Sequence, residues 1–126
     1  MLKSAAALIE AKLNDSVVVV TYDLVEAQLS VYTGYLEGSV IFTNNARLIF
    51  FEFWRQANAG IERDKYRYHL LDNQNQLVFR YDNAPHHPQI ATFPDHKHTP
   101  NGLLESAAPD FADVFEEAAL YVLGIG

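Results

Sequence analysis

Four of the five histidines in this chain fall in one stretch, RYDNAPHHPQIATFPDHKH, from Arg80 to His98: His86, His87, His96 and His98. Imidazole changes charge near neutral pH, passes protons and binds metals. Beside Arg80, Asp82 and Lys97 it could do three kinds of work. In the first, one histidine takes a proton and another gives one, while Arg80 or Lys97 balances charge on phosphoryl oxygens. Cleavage of RNA by its own 2′-hydroxyl needs those roles and no metal. The second is a divalent-metal site, with His86 or His87, His96, His98 and either Asp82 or Glu52 as ligands. The third is structural, the imidazoles bonding loop carbonyls and pinning a long connection onto a sheet. Gathering so many titratable groups in one short segment favours a site over the third use. His69 lies within a strand pattern and reads as structural.

The elements that must hold these residues are legible as patterns. Ser4 can cap a helix to about Leu13, with Leu2, Ala6, Ile9 and Leu13 at helical spacing. Val17 to Tyr32 is β-rich, Val25, Ala27, Leu29 and Val31 alternating with polar residues, and a bulge is expected near Tyr22 to Leu24. Tyr35 to Thr43 and Ala46 to Gln56 flank Asn44-Asn45, which predicts a two-residue hairpin loop. That register puts Leu36, Val40 and Phe42 with Ile49, Phe51 and Phe53, and leaves Glu37, Ser39, Glu52 and Trp54 on the less apolar side. Lys65 to Leu71 and Gln76 to Asp82 form the next pair. An even loop between them places Tyr66, Tyr68 and Leu70 beside Leu77, Phe79 and Tyr81, and gathers Arg67, His69, Arg80 and Asp82 opposite. That second face leads into His86 and His87. If His96-Lys97-His98 is extended, its imidazoles point one way and Lys97 the other.

Pro109-Asp110 opens a closing helix with Phe111, Val114, Phe115, Ala118, Tyr121 and Val122 in one stripe, ended by Gly124. The expected fold is α+β, a single domain over residues 1–126: a helix, an antiparallel meander of about five strands, a long loop and a C-terminal helix.

Composition narrows the function classes. The chain is 49% hydrophobic and 13% aromatic, too apolar for a disordered segment. Having no cysteine, it can form neither disulfides nor thiolate zinc sites. Glu10 and Lys12 interrupt the first apolar stretch, so a cytoplasmic protein without a membrane segment is expected. The net charge of −7 argues against a general nucleic-acid binder. Its distribution softens that objection: residues 47–98 hold seven basic and six acidic side chains, whereas residues 99–126 hold five acidic and no basic ones. The middle of the chain can meet an anion; the ends suit a basic partner. Trp54, Tyr66 and Tyr68 read as sheet packing before base stacking, and the acids from Glu105 to Glu117 as a solvated helix start.

The set Glu52-Phe53, Tyr66-Arg67-Tyr68-His69, Arg80-Tyr81-Asp82-Asn83, His86-His87 and Phe93-Pro94-Asp95-His96-Lys97-His98 resembles the TumE-type family of bacterial toxin-antitoxin proteins. The likeness runs from about Val17 onward, and the pair RYDNAPHH and FPDHKH at this separation is its most specific part. It implies a small bacterial toxin, a cognate antitoxin protein as partner, and ribonuclease activity. The positions carried over are Glu52, Arg80, Asp82, Asn83, His87, His96, Lys97 and His98. Asp95 stands where many relatives are expected to have another histidine. The combined reading is a metal-independent endoribonuclease acting on RNA without a cofactor. In it His87 and His98 move protons, with His86 and His96 beside them, Arg80 and Lys97 hold phosphate, and Asp82 or Glu52 orients an imidazole. The alternatives are a metal-dependent hydrolase with a His/carboxylate site and a non-catalytic protein-binding module.

Overall fold

The computed structural model describes residues 1–125. Helix α1 (Lys3–Asp15) is followed by seven strands, β1 (Val19–Gln28), β2 (Thr33–Phe42), β3 (Arg47–Ala57), β4 (Gly60–Leu71), β5 (Leu77–Asp82), β6 (His96–Thr99) and β7 (Gly102–Glu105), and helix α2 (Phe111–Val122) closes the chain. The strands form one antiparallel sheet in sequence order. The α+β class and a helix at each end agree with the sequence reading, but the meander has seven strands where about five were expected. The added pair is the hairpin of β6 and β7. The short polar run His96–Thr99 carries no apolar alternation that would announce a strand.

Both helices cover one face of the sheet. Leu2, Ala6, Ile9 and Leu13 from α1 and Phe111, Val114, Phe115 and Ala118 from α2 join Leu36, Val40, Phe42, Leu48, Phe50, Tyr68, Leu70 and Phe79 in one core. Burying each large side chain contributes about 1.5–3 kcal/mol. Helix α2 starts as expected: the Asp110 side chain accepts from Asp113 N, and the Asp113 side chain accepts from Asp110 N. Helix α1 departs from expectation. It begins before Ser4, with Leu2 at the cap position and no side-chain cap, the Leu2 carbonyl accepting from Ala6 N. Among the described residues no helix is long and apolar enough to cross a membrane.

Three strand-level expectations change. Strand β1 ends at Gln28, because Leu29 N and Ser30 N donate to the Thr33 carbonyl and turn the chain. Leu29 and Val31 are therefore exposed, and Tyr22 and Leu24 face the core in place of Val25. The β1 irregularity lies at Val20, between Val19 and Thr21, and not near Tyr22 to Leu24.

The hairpin of β2 and β3 turns through Thr43, Asn44 and Asn45: Phe42 N donates to Ala46 O, Asn45 N donates to Phe42 O, and Asn45 sits at φ 66°. That extra loop residue inverts the parity predicted for β3. Leu48, Phe50 and Glu52 face the core, whereas Ile49, Phe51 and Phe53 face the open side.

The loop between β4 and β5 is also odd, running through Asn73, Gln74 and Asn75, with Asn75 at φ 61°. Here a bulge cancels the inversion: Leu71 pairs with Leu77 but Leu70 pairs with Phe79, leaving Val78 as the extra residue. Val78 therefore replaces Leu77 against the core, and the predicted faces hold from Phe79 to Asp82.

Deleting Asn44 would restore a two-residue loop and drive Leu48 and Phe50 outward. The expected cost exceeds about 3 kcal/mol, roughly two buried side chains. Asn45→Gly, which accepts the positive φ freely, should change stability by less than about 1 kcal/mol. Urea denaturation followed by circular dichroism measures both, and equal effects would refute the parity argument.

Candidate functional site

Register assembles the candidate site. Asp82 of β5 lies opposite His96 of β6, and Arg80 lies opposite His98. On the other flank, Arg67 and His69 of β4 lie opposite Asp82 and Arg80. Alternation then turns all six side chains to the face that the helices leave open. The segment from Asn83 to Asp95 brings His87 back over this group. Ring centroids are 5.1 Å apart for His87 and His96, 5.7 Å for His87 and His98, and 4.8 Å for His96 and His98. A cavity of about 290 Å³ opens beside them, lined also by Lys65, Tyr66 and His86.

The connecting segment is tied at several points. Ala84 N donates to Asp82 Oδ1, Asn83 accepts from Tyr66 N and donates to Asp64 O, and Tyr66 Oη donates to Asp95 Oδ1 at 2.8 Å. Asp95, standing where relatives are expected to carry another imidazole, is thus an anchor for the loop. The third imidazole comes from His87. Burial and the adjacent Asp95 carboxylate raise the Tyr66 phenol far above its ordinary value, so it remains a hydrogen-bond donor.

Asp82 is the centre of the network. It is buried, accepts from Arg80 Nε at 3.1 Å, and has His96 Nε2 2.9 Å from its Oδ1. His96 is 2% exposed, and its Nδ1 donates to the Pro94 carbonyl at 2.8 Å. Both of its nitrogens face oxygens, Nδ1 the Pro94 carbonyl and Nε2 the Asp82 carboxyl, so the ring is held at both ends. His98 differs. Arg80 Nη2 lies 3.1 Å from its Nε2, and because guanidinium can only donate, that nitrogen presents its lone pair. Burial, and after it the Arg80 charge, holds the His98 ring below the ordinary histidine value of 6.5, against the opposing pull of Asp82. His69 is lowered in the same direction, by burial and then by Arg80, Arg67 and Arg47.

Of the residues nominated from sequence, the fold gathers Arg80, Asp82, His87, His96 and His98 within this network, and His86 lines the cavity as an exposed side chain. Two others lie elsewhere. Lys97 projects to the helix side, bonding Glu117 of α2 at 2.8 Å and lying over the Phe79 and Tyr81 rings. Strand alternation alone separates it from His96 and His98.

Glu52 is on the core side, 3% exposed, not on the less apolar side that a two-residue loop implies. It accepts from Tyr68 Oη and from Trp54 Nε1, and Arg63 in turn donates to Tyr68 Oη at 2.6 Å. Glu117, read as a solvated helix acid, also accepts from Tyr81 Oη. Lys65 was not singled out from sequence, although it extends the alternation of Arg67 and His69.

A family model described as Toxin TumE matches residues 6–122. No curated protein and no solved structure matches the chain.

The His98 environment sets a measurable protonation. Its folded ring holds a proton less tightly than the unfolded chain does, so its contribution to stability is complete above about pH 6.5. That contribution declines as pH falls toward the lower folded value. In an NMR titration the His98 midpoint should lie below 6.5, and Arg80→Gln should move it upward. A wild-type midpoint at or above 6.5 would contradict the neutral ring.

Proposed function

The chain belongs to the TumE toxin family, and we propose that its histidine cluster cleaves RNA by metal-independent attack of the 2′-hydroxyl on the neighbouring phosphate. Membership makes it a toxin of a toxin-antitoxin system and implies a cognate antitoxin. The observation that carries the cleavage reading is the convergence of three imidazoles beside Arg80 on the open face of the sheet.

In this mechanism the substrate phosphate draws the Arg80 guanidinium from His98, freeing the Nε2 lone pair. His98 takes the proton from the 2′-hydroxyl as its oxygen attacks phosphorus. His87, half-buried on the returning segment, gives a proton to the departing 5′-oxygen, and a 2′,3′-cyclic phosphate results. Arg80 stabilises the charge that builds on the phosphoryl oxygens, where a preoriented donor is most effective. The buried His96–Asp82 pair acts as a positioning unit, holding Arg80 and the His98 edge in place. Lys97 and Glu52 face the helix side, so in this mechanism contact with the reacting phosphate falls to Arg80.

A second reading has its own observation: His87, His96 and His98 each offer a ligand atom, all within 4.8 Å of one another. A divalent cation there would have to displace or tolerate the Arg80 guanidinium, 3.1 Å from one ligand nitrogen. Coulomb repulsion at that range favours an anion over a cation.

His87→Ala combined with His98→Ala should abolish growth arrest on expression. Either substitution alone should lower RNA cleavage by roughly 100- to 10,000-fold, the usual worth of a general acid or base. Activity should persist in chelator and leave cyclic phosphate ends. Activity lost in chelator, with stoichiometric zinc binding abolished by His96→Ala, would transfer the site to the metal reading.

The acidic termini, together with the α2 surface, suit an antitoxin with a basic contacting segment. The affinity of that complex should fall as salt rises. Salt independence in a binding titration would exclude electrostatic pairing.

A further inference from the structure

Columns of side chains from four strands cross the open face. Strand β3 presents Ile49, Phe51 and Phe53; β4 presents Lys65, Arg67 and His69; β5 and β6 present Arg80, Asp82, His98 and His96. One row therefore reads Phe51, Arg67, Asp82, His96 across four paired strands. At a spacing of ~4.8 Å per strand, Phe51 stands about 10 Å from the Asp82 network. Tyr35 of β2 stacks on Phe51 with ring centroids 5.6 Å apart and planes at 30°.

The charges on this face are unevenly satisfied. Arg80 is held by Asp82, and Arg55 by Glu62 and Asp64. Lys65 and Arg67 are exposed and make no ion pair among the described residues. Acidic neighbours bound the strip at both ends, Glu37 opposite Phe51 and Glu105 opposite His96. The negative charge of α2, at Asp113, Glu116 and Glu117, belongs to the helix layer on the other face.

We propose that this open face is a platform for single-stranded RNA, bases stacking on Phe51 and Tyr35, phosphates passing over Lys65 and Arg67, and the reacting phosphate reaching His98. The assignment rests on the RNA-cleavage reading above and names how the substrate is held. Unpaired bases offer their faces to aromatic rings, whereas a duplex conceals them. The order of columns matches a strand lying across the sheet, with stacking outermost, phosphate neutralisation between, and the reacting groups last. The overall charge of −7 does not oppose this, because Lys65 and Arg67 act locally while Asp82, Glu62 and Asp64 are matched by Arg80 and Arg55 and the α2 acids lie on the other face.

The test uses the full chain carrying His87→Ala and His98→Ala, so that RNA binds without being cut. Fluorescence anisotropy would follow a short unstructured RNA oligonucleotide across a range of salt. Phe51→Ala should weaken binding roughly tenfold, the scale of one lost stacking contact. Phe51→Leu, which retains apolar bulk, should weaken it comparably and separates stacking from folding. Lys65→Gln with Arg67→Gln, both at exposed sites, should reduce the slope of log affinity against log salt by about 1.4, two phosphates' worth. The platform is overturned if affinity ignores these substitutions, if the matching duplex binds as tightly, or if the oligonucleotide does not bind. It is also overturned if single-stranded DNA binds more tightly than RNA. The two readings fail separately. Stacking and salt effects as expected, with no cleavage by the histidine-intact chain, would support the platform and remove the catalytic reading. Cleavage that is insensitive to Phe51, Lys65 and Arg67 would do the reverse.

Discussion

The buried pair of Asp82 and His96 is the constraint on which the open face depends. Each sits on a neighbouring strand at directly opposed positions, and both are buried. A buried carboxyl and a buried imidazole are tolerated only while each polar atom has its partners, and leaving one unsatisfied typically costs about 1–3 kcal/mol. Asp82 meets its demand with His96, Arg80 and Ala84 N, and His96 completes its own with the Pro94 carbonyl. The pair thereby fixes the last turns of the connecting segment, the direction of Arg80 and, through Arg80, the lone pair of His98. A strand pairing of only three residues between β5 and β6 acquires a definite geometry from it.

The sheet divides its labour by face. On the helix side, apolar packing admits polar groups only in closed sets, such as Glu52 with Tyr68 and Trp54, or Lys97 with Glu117. On the other side, side chains of the same strands remain reachable. Neighbours in sequence accordingly have unlike roles. His96 and His98 enter the imidazole cluster while Lys97 between them clamps α2, and Phe51 lies on the open face while Glu52 beside it is buried.

This division explains what was legible in the sequence. The concentration of histidines, the common facing of Arg67 with His69 and of Arg80 with Asp82, and the closing helix follow from local composition, alternation or helical spacing, which need no knowledge of the distant chain. Parity across a loop is harder to read. Asn44-Asn45 looks like a complete turn, but only Asn45 adopts positive φ and Thr43 joins the loop, so every β3 side chain lies opposite to its expected face. The same miscount before β5 did no harm, because the bulge at Val78 cancelled it. Lys97 and Glu52 were grouped with the histidines on residue type, the former despite an alternation that already turned it away. The hairpin of β6 and β7 could not be anticipated, since its short strands are held by pairing and by Asp82 more than by intrinsic propensity.

Two of the three clustered imidazoles ride on β6, a strand of four residues with only the equally short β7 between it and the sheet's edge. Opening such a margin exposes little of the core formed by α1, α2 and the central strands, so its free energy is set locally and not by global unfolding. The imidazole cluster is therefore perishable in a way the scaffold is not. Mild heat or denaturant would disperse the rings from a chain whose interior is still intact.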